Sequence, residues 1–207
     1  MSKRSWLAAV ACLLGMALPA TAVAQVEFTP FFASYYAVTN IDDAFQGDAS
    51  ISEKQYAAPG FGARLTYWMG RSLGIEGAGS FAFSGTRFVA EGPGGSAGAS
   101  LAGTIMTGSA RILYRLPRTN FHMLLGGGVV SRGGDTWDFG FITSKTDIGG
   151  VVGFGVRAAI TPKLALNVNL ESFLYQADPD GDGSEYEGKM QADIYVIIGV
   201  PISFGGR

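Results

Sequence analysis

Three aspartates near the C-terminus have the spacing that is typical of calcium-binding loops. Asp178, Asp180 and Asp182 occupy positions 1, 3 and 5 of the run, and Gly183 occupies position 6. Carboxylate oxygens at this spacing suit Ca²⁺, and glycine at position 6 permits the sharp turn. Position 12 is Lys189, where a bidentate glutamate normally completes the site. The segment therefore predicts either weak Ca²⁺ binding or a solvated acidic turn, and no other cofactor is expected.

A second polar connection carries large aromatic side chains. Trp137, Phe139 and Phe141 lie among Asp135 and Asp138. Aromatic residues exposed on an external loop are typical of contact surfaces for another protein, a host surface or lipid headgroups. The same residues could instead fold over the end of the domain or extend its strands, and the sequence leaves both interpretations open.

These connections join long strands with two different faces. The strands form three hairpins with short turns at Gly70-Arg71-Ser72, Pro117-Arg118-Thr119-Asn120 and Thr161-Pro162-Lys163. Between the hairpins lie four long polar or glycine-rich connections, near 40–54, 85–99, 132–145 and 177–188. Residues 91–98 of the second connection have the composition of a flexible linker. Alternating short and long connections are typical of transmembrane β-barrels.

Period-2 patterning supports strands rather than helices. In the strand predicted at about Gln55–Met69, Phe61 and Leu65 alternate with Arg64 and Thr66. The same alternation recurs in segments that include Ile148–Ile160, Leu164–Glu171 and Gln191–Phe204. The remaining strands are predicted near Val26–Thr39, Ser72–Ser84, Ser100–Leu116 and Asn120–Ser131. The fold class is therefore all-β: an eight-stranded antiparallel up-and-down transmembrane barrel with short periplasmic turns and long external loops. Soluble sandwiches and lipocalin-like barrels also alternate, but their strands average about 5–6 residues, whereas these segments are much longer.

Pairing the strands across the short turns predicts which residues face inward. If Met69 faces Leu73 across the first turn, Thr66 faces Glu76. If Leu116 faces Phe121, Arg115 faces His122, and if Ile160 faces Leu164, Arg157 faces Asn167. The inward-facing charges predicted in this way are Glu27, Arg64, Glu76, Arg111, Arg115, Asp147, Arg157, Glu171 and Asp193. Because the signs nearly balance, they favour an interlocked polar core. A water-filled conduit is the alternative.

The N-terminus has the features of an export signal. Lys3 and Arg4 precede an apolar stretch over 6–18, and Ala22-Val23-Ala24 is a small-x-small cleavage pattern. The expected organisation is a signal peptide over 1–24 and a barrel domain over 25–207; a lipoprotein signal cut before Cys12 is the rival. Cleavage would remove the only cysteine and change the formal net charge from −2 to −4 through loss of Lys3 and Arg4. Mild acidity gives no electrostatic basis for nucleic-acid binding.

Two local patterns strengthen a family resemblance. Gly62-Ala63-Arg64, Ser109-Ala110-Arg111 and Gly155-Val156-Arg157 each place an arginine shortly before a tight turn. The chain also ends with Gly199, Ile202 and Phe204 in the pattern Gly-x-x-apolar-x-aromatic, followed by Gly205-Gly206-Arg207. With its strand architecture, the chain resembles the small outer-membrane barrels of Gram-negative bacteria, the OmpA/OmpX-type superfamily, over essentially all of 25–207.

The resemblance implies a location and a set of partners. The location is the outer membrane of a Gram-negative bacterium, after export and cleavage near Ala24. The partners would be outer-membrane lipid and lipopolysaccharide, the barrel-assembly machinery reading Gly199, Ile202 and Phe204, and an external surface partner bound through the loops. The chain is expected to be a monomer.

The superfamily includes structural anchors, adhesins, small pores and lipid-modifying enzymes, so the fold alone does not give the function. Enzymes of this type that act on lipid A use a histidine with a serine or acidic partner. His122, the only histidine, follows a predicted periplasmic turn and has no serine close to it in sequence. We expect a non-enzymatic protein that supports envelope integrity or adhesion. A narrow channel for small solutes is the alternative, and a lipid A-modifying enzyme is a more remote one.

Overall fold

The structure, a computed structural model, describes residues 25–39, 42–46, 49–134, 146–161, 164–177 and 189–204. These residues form strands and turns, and none of them belongs to a helix that is long and apolar enough to cross a membrane. The strands are β1 (Gln25–Ala37), β2 (Asp42–Gln46), β3 (Ala49–Gln55), β4 (Ala58–Met69), β5 (Leu73–Ala82), β6 (Thr86–Gly92), β7 (Gly95–Leu101), β8 (Thr104–Arg115), β9 (Phe121–Gly133), β10 (Thr146–Thr161), β11 (Leu164–Ala177), β12 (Lys189–Gly199) and β13 (Ile202–Phe204). The predicted export signal over 1–24, the aromatic residues Trp137, Phe139 and Phe141, and the aspartates Asp178, Asp180 and Asp182 lie outside the described residues.

The predicted closed barrel is confirmed. Its antiparallel wall runs in the order β12-β11-β10-β9-β8-β5-β4-β1, and β12 pairs with β1 to complete the circle. β13 continues β12 without a change of register, since Phe31 faces Gly199 and Phe28 faces Ile202. The break between them falls at Val200 and Pro201, because proline has no N–H to donate to the ladder. The wall therefore has eight strands, with β12 and β13 counted as one.

Side chains alternate between the lumen and the outer surface, as the sequence predicts. On β4, Arg64 and Trp68 are buried, whereas Phe61 and Leu65 are 51% and 58% exposed on the outer wall. Exposed apolar side chains at this density need a lipid environment, since soluble proteins rarely expose large contiguous apolar patches. The outer wall is therefore the membrane-facing surface.

The predicted hairpin registers are largely confirmed. Thr66 faces Glu76, Arg115 faces His122 and Arg157 faces Asn167. The further expectation that Ile160 faces Leu164 is wrong, because Thr161 faces Leu164. A register shift between Ala159 and Thr161 inserts one residue into β10 immediately before the turn, which is a β-bulge.

The prediction that residues 91–98 form flexible, linker-like material is wrong. Strands β2, β3, β6 and β7 form a separate four-stranded sheet, here called the extracellular sheet. The register between β5 and β8, in which Ala82 faces Ile105, continues without a shift between β6 and β7, in which Thr86 faces Leu101. Because β5 and β8 pair in the wall, the strands that follow and precede them, β6 and β7, are held at pairing distance. Backbone hydrogen bonds then form a sheet from residues of low strand propensity.

The turn and the boundaries of this hairpin also differ from the prediction. Gly95 has a φ of 122°, a conformation that glycine adopts without strain, and follows the turn at Pro93-Gly94. The strand predicted to begin at Ser100 is divided, because β7 ends at Leu101 and β8 begins at Thr104.

Candidate functional site: the lumen network and the extracellular sheet

The centre of the lumen holds two arginines and two glutamates from four strands. Glu171 on β11 lies 2.6 Å from Nη2 of Arg64 and 2.5 Å from Nη1 of Arg111. Nη2 of Arg111 lies 2.9 Å from Oε1 of Glu76, and Thr66 donates a hydrogen bond of 2.5 Å to the other oxygen of Glu76. The four charged side chains are at most 4% exposed. This central cluster has no formal net charge, which is what burial of ions away from water requires.

The periplasmic end of the lumen is organised around Glu27. Its carboxylate accepts hydrogen bonds from Trp68 Nε1 at 3.0 Å, Arg157 Nη1 at 2.7 Å and Ser203 Oγ at 3.2 Å. The guanidinium of Arg115 lies 4.0 Å from the centre of the Trp68 ring. This cation–π contact stabilises a cation beside a buried aromatic ring. Among the residues predicted to line the lumen, Glu27, Arg115 and Arg157 thus meet at this end.

The external end of the lumen contains a third cluster. Asp193 accepts hydrogen bonds from Tyr35 Oη at 3.0 Å and Tyr175 Oη at 2.8 Å. Arg132 contacts Asp147 at 2.5 Å and also donates to the Tyr175 hydroxyl. The structure therefore places the two predicted aspartates, Asp147 and Asp193, in one network.

Sequence reasoning missed the arginine and both tyrosines of this cluster. Arg132 was assigned to an external connection, whereas β9 continues to Gly133. Extending the inward alternation of His122 and Leu124 along β9 would have placed Arg132 in the lumen. Tyrosines are more difficult to recognise, because their rings suit either face of a barrel wall.

The lumen is packed along its described length. Tyr195 lies between Tyr35 and Phe173, with ring centres 5.2 and 5.5 Å away. A cavity lined by Phe31, Arg111 and other central residues measures about 10 Å³, and a second near Glu27 also measures about 10 Å³. A volume of this size is close to the minimum for one water molecule. Neither of these two cavities is large enough for a solute larger than water.

His122 lies within the wall, near the periplasmic turn. It is 6% exposed, and its Nε2 lies 3.2 Å from Nδ2 of Asn169. No serine contacts it among the interactions of the described residues. Within the described ranges, no three His, Cys, Asp or Glu side chains are arranged to hold a metal ion.

The predicted assembly signal lies on the closing strand. Ile202 and Phe204 are 45% and 55% exposed on the outer wall, and Gly199 is buried on the inner face. Ile202 pairs with Phe28 and Phe204 with Val26, which places β13 against β1. Reading of this signal by the assembly machinery stays a prediction.

The outward face of the strands changes chemistry where the wall meets the extracellular sheet. Within the wall, Phe81, Phe83 and Met106 occupy outward positions, and Phe83 and Met106 are 58% and 56% exposed. Beyond residues 83–85, exposed positions are occupied by Arg87 and, on β7, by Ser100. Because aliphatic and aromatic residues suit hydrocarbon and charged residues suit water, this transition marks the outer boundary of the hydrocarbon layer.

The closed wall, apolar outside and ionic inside, defines a transmembrane β-barrel of the outer-membrane class. A family model described as the outer membrane protein beta-barrel domain matches residues 8–191. The chain belongs to this family, whose members lie in the outer membrane of Gram-negative bacteria. No curated protein matches the chain by sequence.

Solved structures show the same fold. The outer membrane protein OprG from Pseudomonas aeruginosa is similar at a TM-score of 0.54 and 14% identity, over 89% of this chain and 97% of that one. The outer membrane protein AlkL, solved in DMPC lipid bilayers, is similar at a TM-score of 0.50 and 14% identity, over 91% of this chain and 93% of that one. Ail, the attachment invasion locus protein of Yersinia pestis, was solved in a complex with the heparin analogue sucrose octasulfate. It is similar at a TM-score of 0.49 and 13% identity, over 88% of this chain and 99% of that one. At these identities the similarity to OprG and AlkL shows the fold alone, and the similarity to Ail, at a TM-score below 0.5, supports no argument.

Proposed function

We propose that this protein is a non-enzymatic outer-membrane anchor whose extracellular sheet makes contacts at the cell surface. The observation that carries the proposal is the continuation of the wall register from β5 and β8 into β6 and β7. A surface built in this way is held rigidly by the barrel, so it loses little conformational entropy on binding. The ionic lumen stabilises the anchor, and the outer wall fixes it in lipid.

The channel alternative receives less support from the lumen. The two cavities of about 10 Å³ admit no solute larger than water, and the side chains of the central ion cluster are buried. Enzymatic modification of lipid A is likewise not favoured, because His122 lies near the periplasmic turn and its neighbour is the amide of Asn169. An attacking group for the outer leaflet would have to lie at the opposite end of the barrel.

Shortening the β6–β7 hairpin tests the proposal. Arg87 faces Ser100, so residues 88–99 can be replaced by Asn-Gly, a pair that favours a two-residue hairpin turn. In a deletion strain, the full chain is expected to restore the envelope barrier and surface attachment, and the shortened chain is expected to insert in the membrane without restoring attachment. Heat-dependent gel mobility verifies that the shortened barrel is folded. Full restoration of both properties by the shortened chain would contradict the proposed role of the sheet.

A further inference from the structure

The outward face of the extracellular sheet contains a depression beside the membrane boundary. It has a volume of about 560 Å³ and is lined by Tyr56, Arg87, Val89, Ser96, Ala97, Gly98 and Ser100. Arg87, Ser96 and Ser100 are exposed, and Tyr56 is 39% exposed. The lining thus combines one cation, hydroxyl groups and an aromatic ring.

Arg87 is available to bind an anion. Among the described residues its side chain forms no ion pair or hydrogen bond, in contrast to the buried arginines of the lumen. Lys54 faces it directly across β3 and β6, and Ser100 faces it across β6 and β7. Residues that face each other across neighbouring strands lie on the same side of a sheet. Arg87 and Ser100 therefore share one side of the sheet. The acidic residue on the same side of β6, Glu91, lies four residues further from the membrane.

An aromatic cluster lies on the membrane side of this row. Phe81 has ring-centre distances of 5.7 Å to Phe61 and 4.9 Å to Phe83, and Phe61 and Phe83 are more than half exposed on the outer wall. Phe83 precedes Arg87 by four residues, which corresponds to about 13 Å along a strand. Going outward, the surface therefore presents aromatic rings, then a tyrosine, then a cation with hydroxyl groups.

We infer that this depression binds the phosphorylated sugar headgroup of an outer-leaflet glycolipid of the lipid A type. The aromatic cluster would pack against the upper acyl chains, as interfacial aromatic residues do. Arg87 would contact a phosphate, because basic residues beside the membrane surface attract headgroup phosphates and arginine binds them with two parallel hydrogen bonds. Ser96 and Ser100 suit sugar hydroxyls. The inference rests on the proposed function, since it names one partner of the extracellular sheet.

The experiment compares lipid binding by the full mature chain and two matched variants. Arg87→Gln removes the cation of the depression, and Arg71→Gln removes an exposed arginine at the opposite, periplasmic end. Each protein is purified in detergent and titrated with bisphosphorylated lipid A, with the same lipid after removal of its phosphates, and with phosphatidylglycerol. Native mass spectrometry gives the bound fraction and the Kd, and heat-dependent gel mobility shows that each variant is folded.

The structure leads us to expect that Arg87→Gln weakens binding of bisphosphorylated lipid A about ten-fold, the loss of one charge-assisted contact. Arg71→Gln should match the unmodified chain, and dephosphorylated lipid A should bind the unmodified chain as weakly as bisphosphorylated lipid A binds Arg87→Gln. Unchanged binding by Arg87→Gln, or an equal loss in Arg71→Gln, would overturn the inference. Phosphatidylglycerol binding as tightly as lipid A would overturn its specificity for a glycolipid. Failure here leaves the proposed function standing, because the shortened hairpin tests that separately and retains Arg87.

Discussion

Arg111 and Glu171 form a buried ion pair across the lumen, although they are 60 residues apart in sequence. Nη1 of Arg111 lies 2.5 Å from Oε2 of Glu171, and both side chains are at most 2% exposed. β8 and β11 are separated in the wall by β9 and β10, so the pair ties opposite parts of the barrel together. Because Glu171 also contacts Arg64 on β4, a single carboxylate holds two cations from strands that only β5 separates in the wall.

Removal of this carboxylate is expected to destabilise the barrel strongly. Glu171→Gln leaves Arg64 and Arg111 with only Glu76 as a buried counter-charge, and breaking a buried pair costs about 3–5 kcal/mol. Urea-dependent unfolding in lipid vesicles measures the free energy of unfolding. Glu91→Gln, an exposed carboxylate on the extracellular sheet, serves as the control and should change stability by less than about 0.5 kcal/mol. Equal stability of the two variants would mean that the central cluster does not hold the barrel together.

Glycines on the two faces of the wall should respond oppositely to substitution. A Cβ at Gly62, on the inner face, would lie 2.2 Å from the carbonyl oxygen of Gly79 and 2.4 Å from Cζ of Phe31. A Cβ at Gly77, on the outer face, would meet no atom within 4 Å. We expect Gly62→Ala to cost at least about 1–3 kcal/mol through overpacking. Gly77→Ala should stabilise by about 0.4–1 kcal/mol, because it lowers the entropy of the unfolded chain. The same vesicle assay compares the free energies of unfolding of the two variants. A similar change in both would show that the inner wall can accommodate an added methyl group.

The inward position of Trp68 can be tested by fluorescence. In a chain produced without residues 1–24, Trp68 and Trp137 are the only tryptophans, so Trp137→Phe isolates Trp68. Its ring is 5% exposed, donates to Glu27 and packs against Arg115. Brominated acyl chains should therefore barely quench it. A tryptophan introduced by Phe154→Trp into a Trp68→Phe, Trp137→Phe background lies on the outer wall, where Phe154 is 55% exposed, and should be quenched strongly. Reversed quenching would mean that the two faces of the wall have been exchanged.

The sequence was sufficient to predict the barrel because its two faces differ in chemistry at every second residue. Where Arg64 stands beside Leu65, or Asn169 beside Leu170, only one arrangement keeps the charged or polar side chain away from lipid. The same alternation, with short turns, fixed the pairing of Thr66 with Glu76. It could not show the bulge before Thr161, because a single inserted residue at a turn leaves the pattern on both sides intact.

The extracellular sheet was not predictable in the same way. Residues 94–100 are glycine, serine and alanine, which have little strand preference and no apolar alternation. Their pairing is imposed by β5 and β8 beneath them, a tertiary effect that no local window contains. The sequence alone does not identify Arg87 as a binding residue, because its significance depends on its height above the membrane and on its facing Lys54 and Ser100.

The central claim is that the ionic clusters seal the lumen, so that the protein functions through contacts of its extracellular sheet. Conductance in planar lipid bilayers tests this claim most directly. The purified mature chain, inserted at known copy number, is expected to give no discrete current steps. Glu171→Ala, with folding verified by heat-dependent gel mobility, opens space beside the central cluster and is the comparison expected to conduct. Regular ion-selective steps from the unmodified chain would contradict the sealed lumen and would favour a narrow channel instead.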